Sequence, residues 1–113
     1  MEFTRGDTYK FKFQRLDNDN QPIMTKADKM WFTVKDSYYT NKVLFQKTLE
    51  DNTITYTDDG FYHITINPED TNNLEYGNYY FDIQREINGN ILTIAKDTLK
   101  LTYEVTSSND EVI

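Results

Sequence analysis

Apolar and aromatic residues alternate with polar ones along most of this chain, and turn-forming residues interrupt the alternation at short intervals. Successive residues of an extended strand point to opposite faces, so this pattern gives each segment one apolar and one polar side, whereas a helix needs a period of 3.6. Residues 8–16 set Tyr9, Phe11 and Phe13 against Lys10, Lys12 and Gln14. Residues 29–36 set Met30, Phe32 and Val34 against Trp31, Thr33 and Lys35. Residues 42–50 align Val43, Phe45 and Leu49, and residues 53–57 align Ile54 with Tyr56. Residues 61–67 place Tyr62, Ile64 and Ile66 opposite Phe61, His63 and Thr65, and residues 78–86 place Tyr79, Phe81 and Ile83 opposite Tyr80, Asp82 and Gln84. Residues 90–95 and 98–106 complete the series, the latter with Leu99, Leu101, Tyr103 and Val105 in register. About eight short strands are predicted.

The connections carry turn chemistry. Asp17-Asn18-Asp19-Asn20 and Asp51-Asn52 suit turns, because Asn and Asp tolerate left-handed backbone and bond to nearby amides. Asp58-Asp59-Gly60 and Asn88-Gly89 are hairpin signals. Only Asn67 to Leu74 breaks the β rhythm: Asn67 suits an N-cap, Pro68 the first helical position, and Glu69 and Asp70 the positive end of a helix dipole. One helical turn near residues 68–74 is predicted there, crossing between sheets. Together these signals predict an all-β sandwich of about 7–9 short antiparallel strands. It would form one domain over residues 1–106, followed by a polar, acidic, fraying tail at 107–113.

Composition narrows the function classes. Aromatics are 15% of the 113 residues while all hydrophobics reach only 37%, and Ala occurs only at Ala27 and Ala95, so rings must supply much of the buried area. A net charge of −7, with scattered lysines, argues against a nucleic-acid partner. The chain has no cysteine, which removes disulfides, thiolate metal sites and Cys nucleophiles, and its single histidine, His63, removes multi-histidine metal sites. No cofactor and no metal are expected. The first residues lack a basic stretch followed by an apolar one, and no run approaches the roughly 18 apolar residues that span a bilayer. Synthesis in a bacterial host cytoplasm, without a signal peptide and without a membrane partner, is the expectation.

Several constellations invite a chemical reading. Asp17–Gln21 places oxygens at alternate positions, but Pro22 and Asp28 stand where a calcium loop needs Gly and Glu, so a solvated turn is expected. Asp58-Asp59 and Glu69-Asp70 are paired carboxylates, the raw material of glycoside hydrolysis, yet both lie beside turn residues. His63 sits mid-strand with no local nucleophile and acid evident. Trp31, Tyr38 and Tyr39 either pack in the core or at a sheet edge or are contact residues for a protein interface or for stacking on sugars, the contact reading resting on the loop-like stretch that holds Tyr38-Tyr39. Glu75-Tyr76-Gly77-Asn78-Tyr79 resembles the tyrosine corner of immunoglobulin-like sandwiches.

A wider resemblance rests on the order Gly6-Asp7-Thr8-Tyr9, Phe32-Thr33-Val34-Lys35, Phe45-Gln46-Lys47, Asp59-Gly60-Phe61-Tyr62, Ile64-Thr65-Ile66, Pro68-Glu69-Asp70-Thr71, Leu74, Tyr76-Gly77, Tyr79, Phe81-Asp82-Ile83 and Val105-Thr106. Over about residues 6–106 the chain resembles small immunoglobulin-like structural proteins of phages and prophages of Gram-positive bacteria, and is similar in outline to the amino-terminal domain of phage baseplate upper proteins. The resemblance implies an immunoglobulin-like fold and a non-enzymatic virion role, in contact with tail, baseplate or neck components. Baseplate upper proteins continue into a stalk, whereas this sequence stops at Ile113, so a small accessory subunit is expected.

The first and last predicted strands, 8–16 and 98–106, are the expected sheet edges, with Lys10, Lys12 and Lys100 as charged gatekeepers against unwanted pairing. Expected partners are further copies of the chain and other virion proteins. The alternative is a carbohydrate-binding module using Trp31, Tyr38 and Tyr39.

Overall fold

The computed structural model describes residues 1–37 and 39–105. These form β1 (Glu2–Thr4), β2 (Tyr9–Gln14), β3 (Lys29–Lys35), β4 (Val43–Thr48), β5 (Ile54–Tyr56), β6 (Phe61–Ile66), the helical turn α1 (Pro68–Thr71), β7 (Gly77–Ile87) and β8 (Asn90–Thr102). Two sheets pack face to face, one ordered β1-β8-β7-β3-β4 and the other β2-β6-β5. With β2, β6 and β5 as strands B, E and D, and β3, β4, β7 and β8 as C, C′, F and G, this is immunoglobulin-like connectivity. The fold is the all-β sandwich that the alternation predicts.

Turn chemistry fixes the register. Asn88 and Gly89 have φ of 51° and 82°, so the two-residue turn between β7 and β8 is left-handed at both positions, the geometry that matches strand twist. The Asp17–Gln21 cluster closes as a hairpin turn, with the Asp17 carboxylate accepting the amides of Asp19 and Gln21 at 2.9 Å.

Three expectations are corrected. Residues 90–95 and 98–106 are not two strands: β8 runs unbroken from Asn90 to Thr102. A register shift opposite Ile83/Gln84 leaves Ile94 as the extra residue of a bulge, which changes the side-chain parity partway along the strand. The pairing is not wholly antiparallel, because Glu2–Thr4, too short to show alternation, pairs parallel with Lys100–Thr102. That pairing also removes Lys100 from the edge. Its amide donates to the Met1 carbonyl at 2.9 Å, and its Nζ lies 4.0 Å from Glu2 Oε1. The free margin of β8 is the 90–97 stretch. By contrast β2, with Lys10 and Lys12, is a true edge of its sheet, as expected.

Aromatic rings fill the core. Phe32 is fully buried, with Phe11, Phe45 and Phe81 around it at centroid distances of 5.4, 6.3 and 5.3 Å. Such pairs add about 0.5–1.5 kcal/mol each beyond the area they bury. Tyr62, also fully buried, packs against Phe13 and Tyr56 and accepts the Ala27 amide at 2.9 Å. Met30, Val34, Ile64, Ile66, Leu99 and Leu101 complete the interior.

The crossover between sheets behaves as its residues dictate. Asn67 is extended (φ −92°, ψ 160°), and its amide donates to Asp70 Oδ2 at 2.7 Å, which caps the start of α1. The Tyr79 hydroxyl donates to the Glu75 carbonyl at 2.7 Å, so the predicted tyrosine corner is present. The residue 107–113 tail lies outside the described residues.

Candidate functional site

The two sheets are not equally closed on their two flanks. On the β4 side, Lys47 points inward opposite Phe32 and its Nζ lies 2.6 Å from Asp70 Oδ2. On the other side, β2 and residues 90–97 of β8 face each other with no described strand between or beyond them. Along β6 the inward residues Tyr62, Ile64 and Ile66 are fully buried, whereas the inward residues of neighbouring β2 (Tyr9, Phe11 and Phe13) are only half-buried. A groove of about 880 Å³ runs along this flank, lined by Phe11, Phe13, Ile83, Leu92, Ile94 and Ala95. Arg15 and Arg85 also line it. Arg85 shares the core-facing side of β7 with Phe81 and Ile83, since it pairs opposite buried Met30 on β3. Apolar walls, two unpaired strand margins and two guanidinium groups suit an extended polypeptide.

The sequence-derived candidates scatter. Tyr39 is almost fully exposed (97%) in the loop after β3, where its amide donates to Ser37 Oγ. Trp31 is half-buried on the outer face of β3, opposite Thr48 and Gln84. Trp31 lies within β3 and Tyr39 in the loop beyond Lys35, so the two sit on different elements. Tyr38 lies outside the described residues. Lys10 and Lys12 project from the outer face of β2, and Lys12 Nζ sits 4.5 Å from the Phe61 ring centroid. Lys100 belongs to the covered part of β8.

His63 has more company than its sequence neighbours indicate. Its Nε2 is 3.0 Å from Thr57 Oγ1, and that hydroxyl donates a very short bond to Asp59. The order is acid–hydroxyl–imidazole. A nucleophilic triad needs the imidazole between acid and hydroxyl, so that the ring can take the hydroxyl proton. Here the hydroxyl donates to the Asp59 carboxylate and not to the ring, and the contact closes the β5–β6 turn. The Thr57 hydroxyl and the Phe61 amide hold the Asp59 carboxyl below its ordinary value. Asp70 is committed to Lys47 and the Asn67 amide, so neither acidic pair presents two free carboxylates across a cleft. No cluster of metal-ligating side chains occurs among the described residues.

Two features go beyond what the sequence indicates. One is the β2/β8 groove, of which the expected edge at residues 8–16 supplies one margin only. The other is a surface cluster in which the Arg5 guanidinium lies 4.2 Å above the Tyr76 ring, itself 4.4 Å from Tyr103. Arg5 there binds Glu104, Leu74 and Tyr76 and ties chain segments far apart in sequence.

No protein-family model and no curated protein matches the sequence. Among solved structures, the endo-β-1,4-mannanase from Thermotoga petrophila is similar over 91% of this chain, with a TM-score of 0.57 and 16% identity. The match takes in 17% of the mannanase chain, so this chain spans about a sixth of its length. At that identity the likeness is one of fold. No described helix is long and apolar enough to cross a membrane.

Proposed function

We propose that the chain is a non-enzymatic structural or adaptor protein of a phage or prophage virion, an accessory subunit of the tail, baseplate or neck that works through protein–protein contacts. The observation that carries the contact reading is the open β2/β8 flank, where an apolar groove lies between two unpaired strand margins. The phage assignment is supported by the strand and turn signatures in the sequence, from Gly6-Asp7-Thr8-Tyr9 to Val105-Thr106. On this reading the chain is made in the host cytoplasm and carried in the particle. Mass spectrometry of purified particles from the encoding bacterium tests it. The chain is expected at a fixed ratio to tail proteins; its absence, with a monodisperse monomer that binds no particle component, overturns the reading.

A carbohydrate-binding role is the second reading. Trp31 shares the outer face of the five-stranded sheet with a shallow polar hollow lined by Thr33, Gln46, Asp82 and Gln84. Binding on a glycan array that is lost in Trp31→Ala supports this alternative, and a blank array removes it.

A further inference from the structure

We propose that the β2/β8 flank is a docking groove for an extended, acidic and partly apolar segment of another protein, which adds to the 90–97 margin of β8 as a further strand. This rests on the protein-contact reading above and names the kind of partner. Four observations carry it. First, inward apolar groups stay partly exposed along this flank: Phe11 and Phe13 are only half-buried although they pack on buried Phe32 and Tyr62, and Leu92 is 52% exposed on the inward side of β8. A strand's alternate side chains would cover these groups.

Second, β1 occupies the outer side of β8 only at Lys100–Thr102, and Met1 extends that contact to the Thr98 carbonyl. Residues 90–97 have no described partner on that side. An added strand would lie in line with β1 and hydrogen-bond to their outward amides and carbonyls.

Third, the groove is cationic in a chain whose net charge is −7. Neither Arg15 nor Arg85 makes an ion pair among the described residues. Arg85 Nη1 donates only to the Asn90 carbonyl, and Arg15 Nη2 to the Thr25 carbonyl, while Arg15 Nε is buried without a partner. The carboxylate of Asp17, which also lines the groove, is already taken by the amides of Asp19 and Gln21. Guanidinium groups left without a carboxylate beside an apolar wall select an acidic residue on the incoming strand.

Fourth, Asp97 sits on the inward side of β8 opposite Phe81 and is exposed. An inward carboxylate at a margin discourages indiscriminate pairing and marks where an apolar-faced strand must stop.

The test uses the full chain and a synthetic ten-residue peptide, capped at both ends, with alternating isoleucines and an Asp-Glu pair at one end. The control peptide carries Lys-Lys in place of the acids. Backbone amide shifts are followed by NMR. The acidic peptide is expected to move the amides of residues 90–97 and 9–16 and few others. Arg85→Gln should weaken that binding about tenfold, as loss of one charge-assisted bond implies. Leu92→Lys, at an exposed position, provides a second variant and should weaken it by a similar factor. Unmoved amides, equal binding of the lysine peptide, or indifference to both substitutions overturns the proposal; so does self-association of the chain through this margin. Peptide binding by a chain missing from particles would overturn the virion assignment alone, and a chain present in particles whose groove ignores the peptide would overturn the docking alone.

Discussion

Lys47 Nζ lies 2.6 Å from Asp70 Oδ2, with the two side chains only 7% and 15% exposed. The pair bridges the inward face of β4 and the crossover α1, closing one flank of the sandwich while the other stays open. Because Asp70 also accepts the Asn67 amide, the carboxylate holds both a strand lysine and the start of the helical turn. Lys47→Met is expected to lower unfolding free energy by about 3 kcal/mol, since it leaves a largely buried carboxylate uncompensated. Pairing it with Asp70→Asn should recover part of the loss. Urea denaturation of the two single variants and the double variant checks this; additive losses would show that the pair is not coupled.

The tyrosine corner gives a smaller, cleaner effect. Tyr79→Phe keeps the ring and deletes only the hydroxyl that donates to the Glu75 carbonyl. A loss of about 1 kcal/mol is expected from thermal or urea unfolding, the usual net worth of one such bond.

Acid titration should report the β5–β6 turn. The Asp59 carboxyl is held below its ordinary value of 3.8, first by the Thr57 hydroxyl and then by the Phe61 amide. Asp51 is lowered in the same way, chiefly by the Thr53 hydroxyl. A carboxylate whose folded value is depressed stabilises the fold above its unfolded value, and that contribution is lost as pH falls through the folded value. Stability from these two groups should therefore hold at neutral pH and fade only below about pH 4. In Thr57→Val, carbon-detected NMR should show Asp59 titrating closer to 3.8; an unchanged titration would contradict the assignment of cause.

Core and margin should respond in opposite ways. Phe32→Ala removes the ring on which Phe11, Phe45 and Phe81 converge, and a loss of about 3–5 kcal/mol is expected. Ile91→Lys and Leu92→Lys lie at positions 58% and 52% exposed, and each should change stability by less than about 0.5 kcal/mol. Calorimetry of the three variants separates residues that build the fold from residues free to serve contacts.

The fold was legible in the sequence because alternation, Asn88-Gly89 and the Asn67-Pro68 crossover each have a local physical cause. What escaped was non-local. Glu2–Thr4 is too short to show a period, and its strand character comes from Lys100–Thr102 at the far end of the chain. The bulge at Ile94 shifted parity within β8, so one strand read as two. The groove was hidden for a related reason: residues 8–16 were legible as an edge, but only the fold brings that edge beside residues 90–97 of β8. Thr57, Asp59 and His63 likewise meet only because β5 and β6 pair, bringing Thr55 opposite His63.

On the proposed reading, residues 90–97 of β8 meet another protein in an assembled particle. Since the chain has no cysteine, Leu92→Cys introduces a single thiol that can carry a photo-crosslinker. In purified particles, crosslinking to a second virion protein is expected from Leu92→Cys and none from Asp58→Cys, at the exposed β5–β6 turn. Crosslinking from both sites, or from Asp58→Cys alone, would contradict it.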